Sequence, residues 1–265
     1  MEFTEEDRDI LILALFLNEI TAYALPEELY LAIGKYLMKG VREGLAGEIA
    51  GEELEAALYE NIYLFSAAKT FNYVLESKAV MFDENGHLRT FDEFKIIARD
   101  VFDKYNGALT GGEKPGWLEA EYNTAIIQAG NAYKWQQIQA NKDVLPYLIY
   151  STVGEGACDI CAPMNGICLP VDDKFWDEFA PANHFSCRCV VQQSDGNEGT
   201  NSLDGIDLSK VPEYFKYNAG QMQEVFSTTG KSRHPYFDVP DKYKDIASEN
   251  FGLPIPIPKM KKQKL

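Results

Sequence analysis

The residues most able to do chemistry are five cysteines and one histidine set close together in the 265-residue chain. The segment opens with Cys158-Asp159-Ile160-Cys161 and closes with His184-Phe185-Ser186-Cys187-Arg188-Cys189. A Cys-x-x-Cys spacing lets two thiolates point at one ion from a tight turn, and the stretch that follows is long enough to fold back on it. A closed structural zinc site takes four nitrogen or sulfur ligands in a tetrahedron. Soft thiolates select zinc over magnesium or calcium. Cys158, Cys161 and His184 are the firmest ligand candidates. The fourth is Cys187 or Cys189, which would share one face of a strand, and Cys168 is an outsider. A structural zinc is the expectation. Two other readings stay open: disulfides joining Cys158 and Cys161 to Cys187 and Cys189, which would staple the same loop, and thiols buried simply as small apolar groups.

A catalytic zinc would keep one position open for water, with a carboxylate base beside it. Glu155 and Asp159 flank the first pair, but the donors are in surplus. The zinc-deaminase signature, His-x-Glu with Pro-Cys-x-x-Cys, is absent, because His184 is followed by Phe185 and Ser186. The chain also lacks a Walker A loop, GxGxxG and GxSxG. His87 beside a turn and His234 before Pro235 read as surface histidines. Asp172-Asp173 and Asp177-Glu178 around Trp176 read as capping and solvated groups. The expectation is therefore not an enzyme.

Composition narrows the partners. Acids outnumber bases 41 to 25, for a net charge of −16, so the surface as a whole repels nucleic acid. The exception is the tail Lys259, Lys261, Lys262 and Lys264, a short basic arm able to meet a DNA phosphate or an acidic partner. The N-terminus is acid-rich where a secretory signal would be basic. The longest apolar run, Ile10 to Leu17, is too short to cross a bilayer. A soluble protein without membrane contact is expected.

The elements that must position the cluster follow from periodicity and punctuation. Residues 1–145 read as mainly helical. Thr4 caps a first helix with apolar positions at Ile10, Leu11, Ala14 and Leu17. Pro26 opens a second helix, and Gly40, Gly44, Gly47 and Gly51 then loosen the chain. Glu52 to about Val80 forms one long helix on which Leu54, Leu58, Ile62, Phe65, Lys69 and Tyr73 fall at helical spacing, only Lys69 being polar. Thr90 and Glu93 make a capping box. Trp117 to about Asn141 carries an alanine stripe, Ala125, Ala129 and Ala132, suited to close helix packing. From Pro146 the texture changes: Tyr147–Val153, Ile167–Val171 and Arg188–Gln192 read as strands. Residues 146–193 then form a small α+β Cys/His module. Residues 194–265 supply a loop, a short helix over Val211–Phe226 and an extended arm rich in proline (Pro235, Pro240, Pro254, Pro256, Pro258). The fold class expected is α+β.

The segments Ala120–Ile138 (AEYNTAIIQAGNAYKWQQI), Tyr150–Gly166 (YSTVGEGACDICAPMNG) and Leu169–Cys189 (LPVDDKFWDEFAPANHFSCRC) together resemble the Mu F-like domain of phage head morphogenesis proteins. The ordered series Cys-x-x-Cys, Asn-Gly, Pro-Val-Asp-Asp, Trp, Asn-His and Cys-Arg-Cys carries the likeness, and His234–Pro256 is similar to the C-terminal ends of such proteins. The family often has proline at the positions of Asp159 and Ala182 and aspartate at that of Asn165. Cys168 is not in its usual pattern, and some relatives lack the first cysteine pair. The resemblance implies a minor structural protein of a tailed-phage head, made in the host bacterial cytoplasm and present in several copies per particle. It would act at or near the portal, with portal or major capsid protein as partners, in capsid assembly, DNA packaging or ejection. The alternative is a metal-dependent hydrolase or toxin-like effector carrying a Mu F-like domain.

Overall fold

Helices dominate the chain because its apolar residues recur mostly at helical spacing and its caps stand where helices must start. The computed structural model describes residues 3–46, 51–111, 114–152 and 157–257. Gly47, Gly112, Val153, Glu155 and the lysine tail from Lys259 to Lys264 lie outside the described residues. In order the main elements are α1 (Glu5–Phe16), α2 (Glu27–Gly44), α3 (Glu52–Ala79), α4 (Phe91–Asn106), α5 (Gly116–Asn141), β1 (Tyr147–Ser151), β2 (Cys168–Pro170), α6 (Phe175–Phe179) and β3 (Val190–Ser194). The fold is α+β, with a helical N-terminal part followed by a small mixed region. The chain divides into two compact units: one takes Met1–Tyr36, Tyr59–Glu119 and Tyr236–Leu265, the other Leu37–Leu58 and Ala120–Pro235.

In the first unit, Thr4 and Thr90 each close a capping box, with Asp7 and Glu93 as the reciprocal partners. Each box satisfies two backbone donors that a helix N-terminus would leave orphaned. α1 buries Leu11, Ile12 and Leu15 and leaves Ile10 and Leu13 exposed, as is Leu17 at its C-cap. Of the expected apolar positions Ile10, Leu11, Ala14 and Leu17, only Leu11 is buried, because the run Ile10–Leu17 is apolar on every side and does not announce which side packs. Asp9 on α1 accepts from Arg99 on α4 and pairs with Lys95 at 3.1 Å. The Arg99 hydrogen bond leads in holding the Asp9 carboxyl far below the usual range, over a smaller opposing effect of burial. Lys69, the polar residue in the α3 stripe, is wholly buried. Its ammonium lies 5.3 Å from the Tyr105 ring centroid and 5.2 Å from that of Tyr236, where ring quadrupoles attract a cation.

The proline-rich C-terminal stretch is built from short helical turns at Pro235–Phe237, Asp241–Tyr243, Lys244–Ser248 and Asn250–Gly252. Tyr236, Tyr243, Phe251 and Leu253 are buried in it, so aromatic anchors fasten a segment that its prolines keep from becoming one long element.

In the second unit, Gly40 and Gly44 lie within α2 rather than in a loosened connection. A Cβ at Gly44 would stand 2.0 Å from the Ile126 carbonyl oxygen on α5, and one at Gly40 would stand 2.8 Å from that of Tyr122. Gly130 on α5 faces the Gly44 carbonyl in turn. Ala125, Ala129 and Ala132 are buried, as the small-residue stripe led one to expect. The sheet is antiparallel in the order β2-β1-β3, with Leu148 opposite Leu169 and Gln193. Alternation turns Leu148 and Tyr150 inward, where both are buried. The stretch Val211–Phe226 is not one helix: a turn at Glu213–Phe215 precedes a second at Ala219–Met222. Asn218 splits them, its side chain accepting from Gly220 and Gln221 as a new cap.

Gly44→Ala is expected to destabilise the protein by about 1–3 kcal/mol through overpacking against backbone. This outweighs the roughly 1 kcal/mol that alanine gains over glycine in helix propensity. Urea unfolding of the full chain measures the sign, and stabilisation would show that α2 and α5 do not pack as described.

Candidate metal centre

Two turns build the cluster. In the first, the Cys158 carbonyl accepts from the N–H groups of Cys161 at 3.1 Å and Ala162 at 2.9 Å. This winds the Cys-x-x-Cys pair into a tight bend that leads into the short turn Ala162–Met164. In the second, Cys187 N–H donates to the His184 carbonyl at 3.2 Å, and Ser186 sits at φ +56° in the left-handed region. β1 carries Tyr150 between the turns. Polar arms of α5 hold the chain on both sides of His184: Gln128 accepts from Ala182 N–H at 3.3 Å, Asn131 donates to the Pro181 carbonyl at 2.7 Å, and Lys134 donates to the Val191 carbonyl. Trp176 on α6 is wholly buried and donates its indole N–H to the Pro170 carbonyl at 2.9 Å.

The donors converge. Cys158, Cys161 and His184 form one group and Cys161, Cys187 and Cys189 a second, the candidate ligand atoms in each lying within 4.8 Å of one another. Cys158 Sγ is 3.1 Å from His184 Nε2, and Cys161 Sγ is 3.8 Å from Cys187 Sγ. A tetrahedral zinc with bonds of about 2.3 Å to sulfur and about 2.0 Å to nitrogen sets edges of about 3.8 Å between sulfurs and about 3.5 Å from sulfur to nitrogen. The Cys161–Cys187 separation of 3.8 Å equals the sulfur edge, whereas the Cys158–His184 separation of 3.1 Å is shorter than the sulfur-to-nitrogen edge. No four of the described donors lie mutually within that limit, so a single four-coordinate ion would require the two groups to draw together about Cys161, which they share. The Phe185 carbonyl lies 2.8 Å from His184 Nδ1. That contact orients the ring and leaves Nε2 for the thiols, as in metal sites whose histidines are held from the far side. All five thiols are free, so the structure contains no disulfide staple. Cys168 lies in β2, in neither group, and burial raises its thiol.

Electrostatics follow from crowding. Cys187 is held far below the usual thiol range, first by hydrogen bonding from Cys161 and then from Cys189, against the pull of burial. Cys161 is driven well above it by those same contacts, Cys187 first, and by burial. For Cys189, the contact with Cys161 lowers its value but Cys187 and burial more than offset this, leaving it at about 11. His184 is pushed up to about 9, first by its hydrogen bond to Cys187. Burial raises Cys158, but the N–H groups of Cys161 and Ile160 and the His184 ring outweigh it, so the thiol is lowered. With protons alone, the shifts favour negative charge at Cys187 and positive charge at the His184 ring beside it. A divalent cation would replace that positive charge and let further thiols ionise. These groups could hold a metal ion.

Other residues fall as follows. Asn165 accepts from the N–H and the hydroxyl of Thr152, both at 3.0 Å, and so closes the loop leading back to β2. Asp173 caps the start of α6 through Phe175 N–H, and Asp172 pairs with Lys142 at 3.0 Å, which fits their reading as capping and solvated groups. His87 is exposed, 3.4 Å from Asp83. His234, expected at the surface, is buried between the Tyr214 and Phe226 rings. Sequence reasoning missed Tyr150, Asn183, Gln128, Asn131 and Lys134. The last three recur at helical spacing beside the alanine stripe, which was the available signal.

Residues 97–192 match the family model described as Phage Mu protein F like protein, so the resemblance is borne out over a region that contains both turns. The His234–Pro256 stretch lies beyond the matched residues. No curated protein and no solved structure matches the chain.

Left-handed backbone costs an L-residue about 1–2 kcal/mol. Ser186→Gly is therefore expected to leave the melting temperature unchanged or raised, and Ser186→Val to lower it. The reverse ranking in thermal unfolding would remove the positive-φ turn from the account.

Proposed function

With the Mu F-like region over residues 97–192 as the premise, we propose that this chain is a minor structural protein of a tailed-phage head. It acts at or near the portal during capsid assembly, DNA packaging or ejection, and zinc stabilises its second unit. The carrying observation is that the matched region contains two turns whose thiols and imidazole converge in the core. In this reading Cys158, Cys161, His184 and Cys187 hold the ion. Cys187 is preferred to Cys189 because it touches both Cys161 and His184. Four protein donors fill a tetrahedral ion, which suits a structural site rather than one that activates water. Closing the two turns onto zinc would tie residues far apart in sequence, and the binding energy would add to folding energy.

Several features support a particle component. Ile10 and Leu13 on α1 and Leu17 at its C-cap are exposed at helical spacing and would offer an apolar face to portal or capsid subunits. No helix among the described residues is long and apolar enough to cross a membrane. The lysine tail is the place where an otherwise acidic chain would meet DNA.

Two measurements test the proposal. Purified particles and procapsids, probed by mass spectrometry, should contain the chain in a few copies per portal, and its absence from both would refute the head assignment. Metal analysis of the isolated chain should find about one zinc per molecule. Zinc affinity should rise between about pH 7 and 9, because the ion must displace the proton that His184 holds until about that value. Thiol ligands also release protons on binding, so an affinity independent of pH over that range would count against the whole Cys/His ligand set.

A further inference from the structure

Distance and burial divide the cluster's donors into two kinds. Cys158 Sγ and His184 Nε2 stand 3.1 Å apart, nearer than two ligands of one zinc ion would stand, and both residues are partly exposed. They form a hydrogen-bonded pair. Cys161, Cys187 and Cys189 differ on each count. Their sulfurs lie within 4.8 Å of one another, with Cys161 Sγ 3.8 Å from Cys187 Sγ. Cys161 and Cys187 are wholly buried, and Cys189 is 4% exposed. Metal–thiolate bonds of about 2.3 Å, spread in a trigonal plane, set edges of about 4.0 Å between sulfurs. The measured edge lies close to that value. Among the described residues, no histidine or carboxylate belongs to this group.

Three sulfurs select an ion by number as well as by softness. Zinc at a closed site takes four ligands. The three thiols lie in a core cluster with Leu148, Tyr150 and Trp176, which keeps solvent from completing a zinc shell there. Copper(I) makes a different demand. It is a closed-shell ion that three ligands satisfy, and soft thiolates are the donors that select it. Nitrogen and oxygen ligands, which suit Cu(II) instead, are absent from the group. The cation also offsets thiolate charge that an apolar core would otherwise not hold.

We propose that Cys161, Cys187 and Cys189 form a trigonal site for Cu(I), assembled in the folded chain while Cys158 and His184 stay bonded to each other. This site does not rest on the zinc reading above. It shares Cys161 and Cys187 with that ligand set, so one ion excludes the other. Zinc would need the two donor groups drawn together, whereas Cu(I) takes one of them as it stands. Cys189 has no place in the zinc set and is the residue that tells the two sites apart.

The test titrates Cu(I) alone into the reduced full chain under anaerobic conditions, against a chromophoric Cu(I) chelator, and reads the shell of the bound metal by X-ray absorption. The unaltered chain should take up Cu(I) with three sulfurs and no nitrogen around it, a result that needs no variant. Cys189→Ser should weaken Cu(I) binding by more than the roughly 10–100-fold that loss of an outer-shell partner costs a metal site. His184→Ala and Cys158→Ser should leave it unchanged. Zn(II), titrated separately, should show the reverse: weakened by His184→Ala and Cys158→Ser, unchanged by Cys189→Ser. Thermal unfolding of the metal-free variants guards against a folding defect in any of them. A nitrogen in the Cu(I) shell, or equal losses for Cys158→Ser and Cys189→Ser, would put Cu(I) on the zinc ligands and overturn the trithiolate site. A shell of two sulfurs, or no uptake of Cu(I), would overturn it as well. Failure to bind Zn(II) while the Cu(I) results hold would overturn the zinc reading alone.

Discussion

Thiols placed within a few ångströms of one another in a protein core cannot all carry charge unless a cation shares the space. That constraint organises the second unit. Cys161, Cys187 and Cys189 belong to the same buried cluster as Trp135, Leu148, Tyr150, Met164 and Trp176, so the site lies within the hydrophobic core. The two turns that deliver the donors, the strand that carries Tyr150 between them and the polar arms of α5 that hold the His184 turn have one common consequence. They bring ionisable sulfur to a place where water cannot screen it. The opposite shifts of Cys161 and Cys187 are the local expression of that crowding: the contact that favours charge on one sulfur disfavours it on its neighbour.

The helices answer a different demand. α2 and α5 approach so closely that backbone carbonyls fill the space where side chains would stand at Gly40 and Gly44, and only glycine permits it there. Close approach makes α5 a firm support, and a firm support lets Gln128, Asn131 and Lys134 fix a stretch of irregular chain with single hydrogen bonds. The helical and cysteine-bearing parts of the second unit therefore depend on each other. In the first unit the corresponding problem is the end of the chain. Prolines rule out a long helix or strand there, and buried aromatics at Tyr236, Tyr243 and Phe251 hold the turns instead.

Much of this was legible beforehand, and the reasons are local. Capping boxes at Thr4 and Thr90 depend on residues three apart. The long helix from Glu52 and the three strands follow from spacing and from β-branched and aromatic content. The Cys/His motifs are short turns, and their residue types limit the chemistry to soft metals or thiol reactions. A family likeness carried by an ordered motif string was equally visible, and the match over residues 97–192 agrees with it.

What sequence left open depended on partners distant along the chain. Periodicity showed that α1 was apolar but not that Leu11, Ile12 and Leu15 were its buried side, because the choice is made by α4. The glycines of α2 looked like looseness until α5 lay against them. Val211–Phe226 looked like one helix until Asn218 capped a second start within it, and His234 looked exposed until Tyr214 and Phe226 closed over it. The amino-acid sequence by itself determined the helices, the strands and the kinds of donor in the cluster, since each rests on residues within a turn or two of one another. Only tertiary structure decided which sulfurs meet, how their charges divide, and that they lie in one buried cluster with Tyr150 and Trp176, since distances between remote residues and the loss of water around them exist only once the chain has folded.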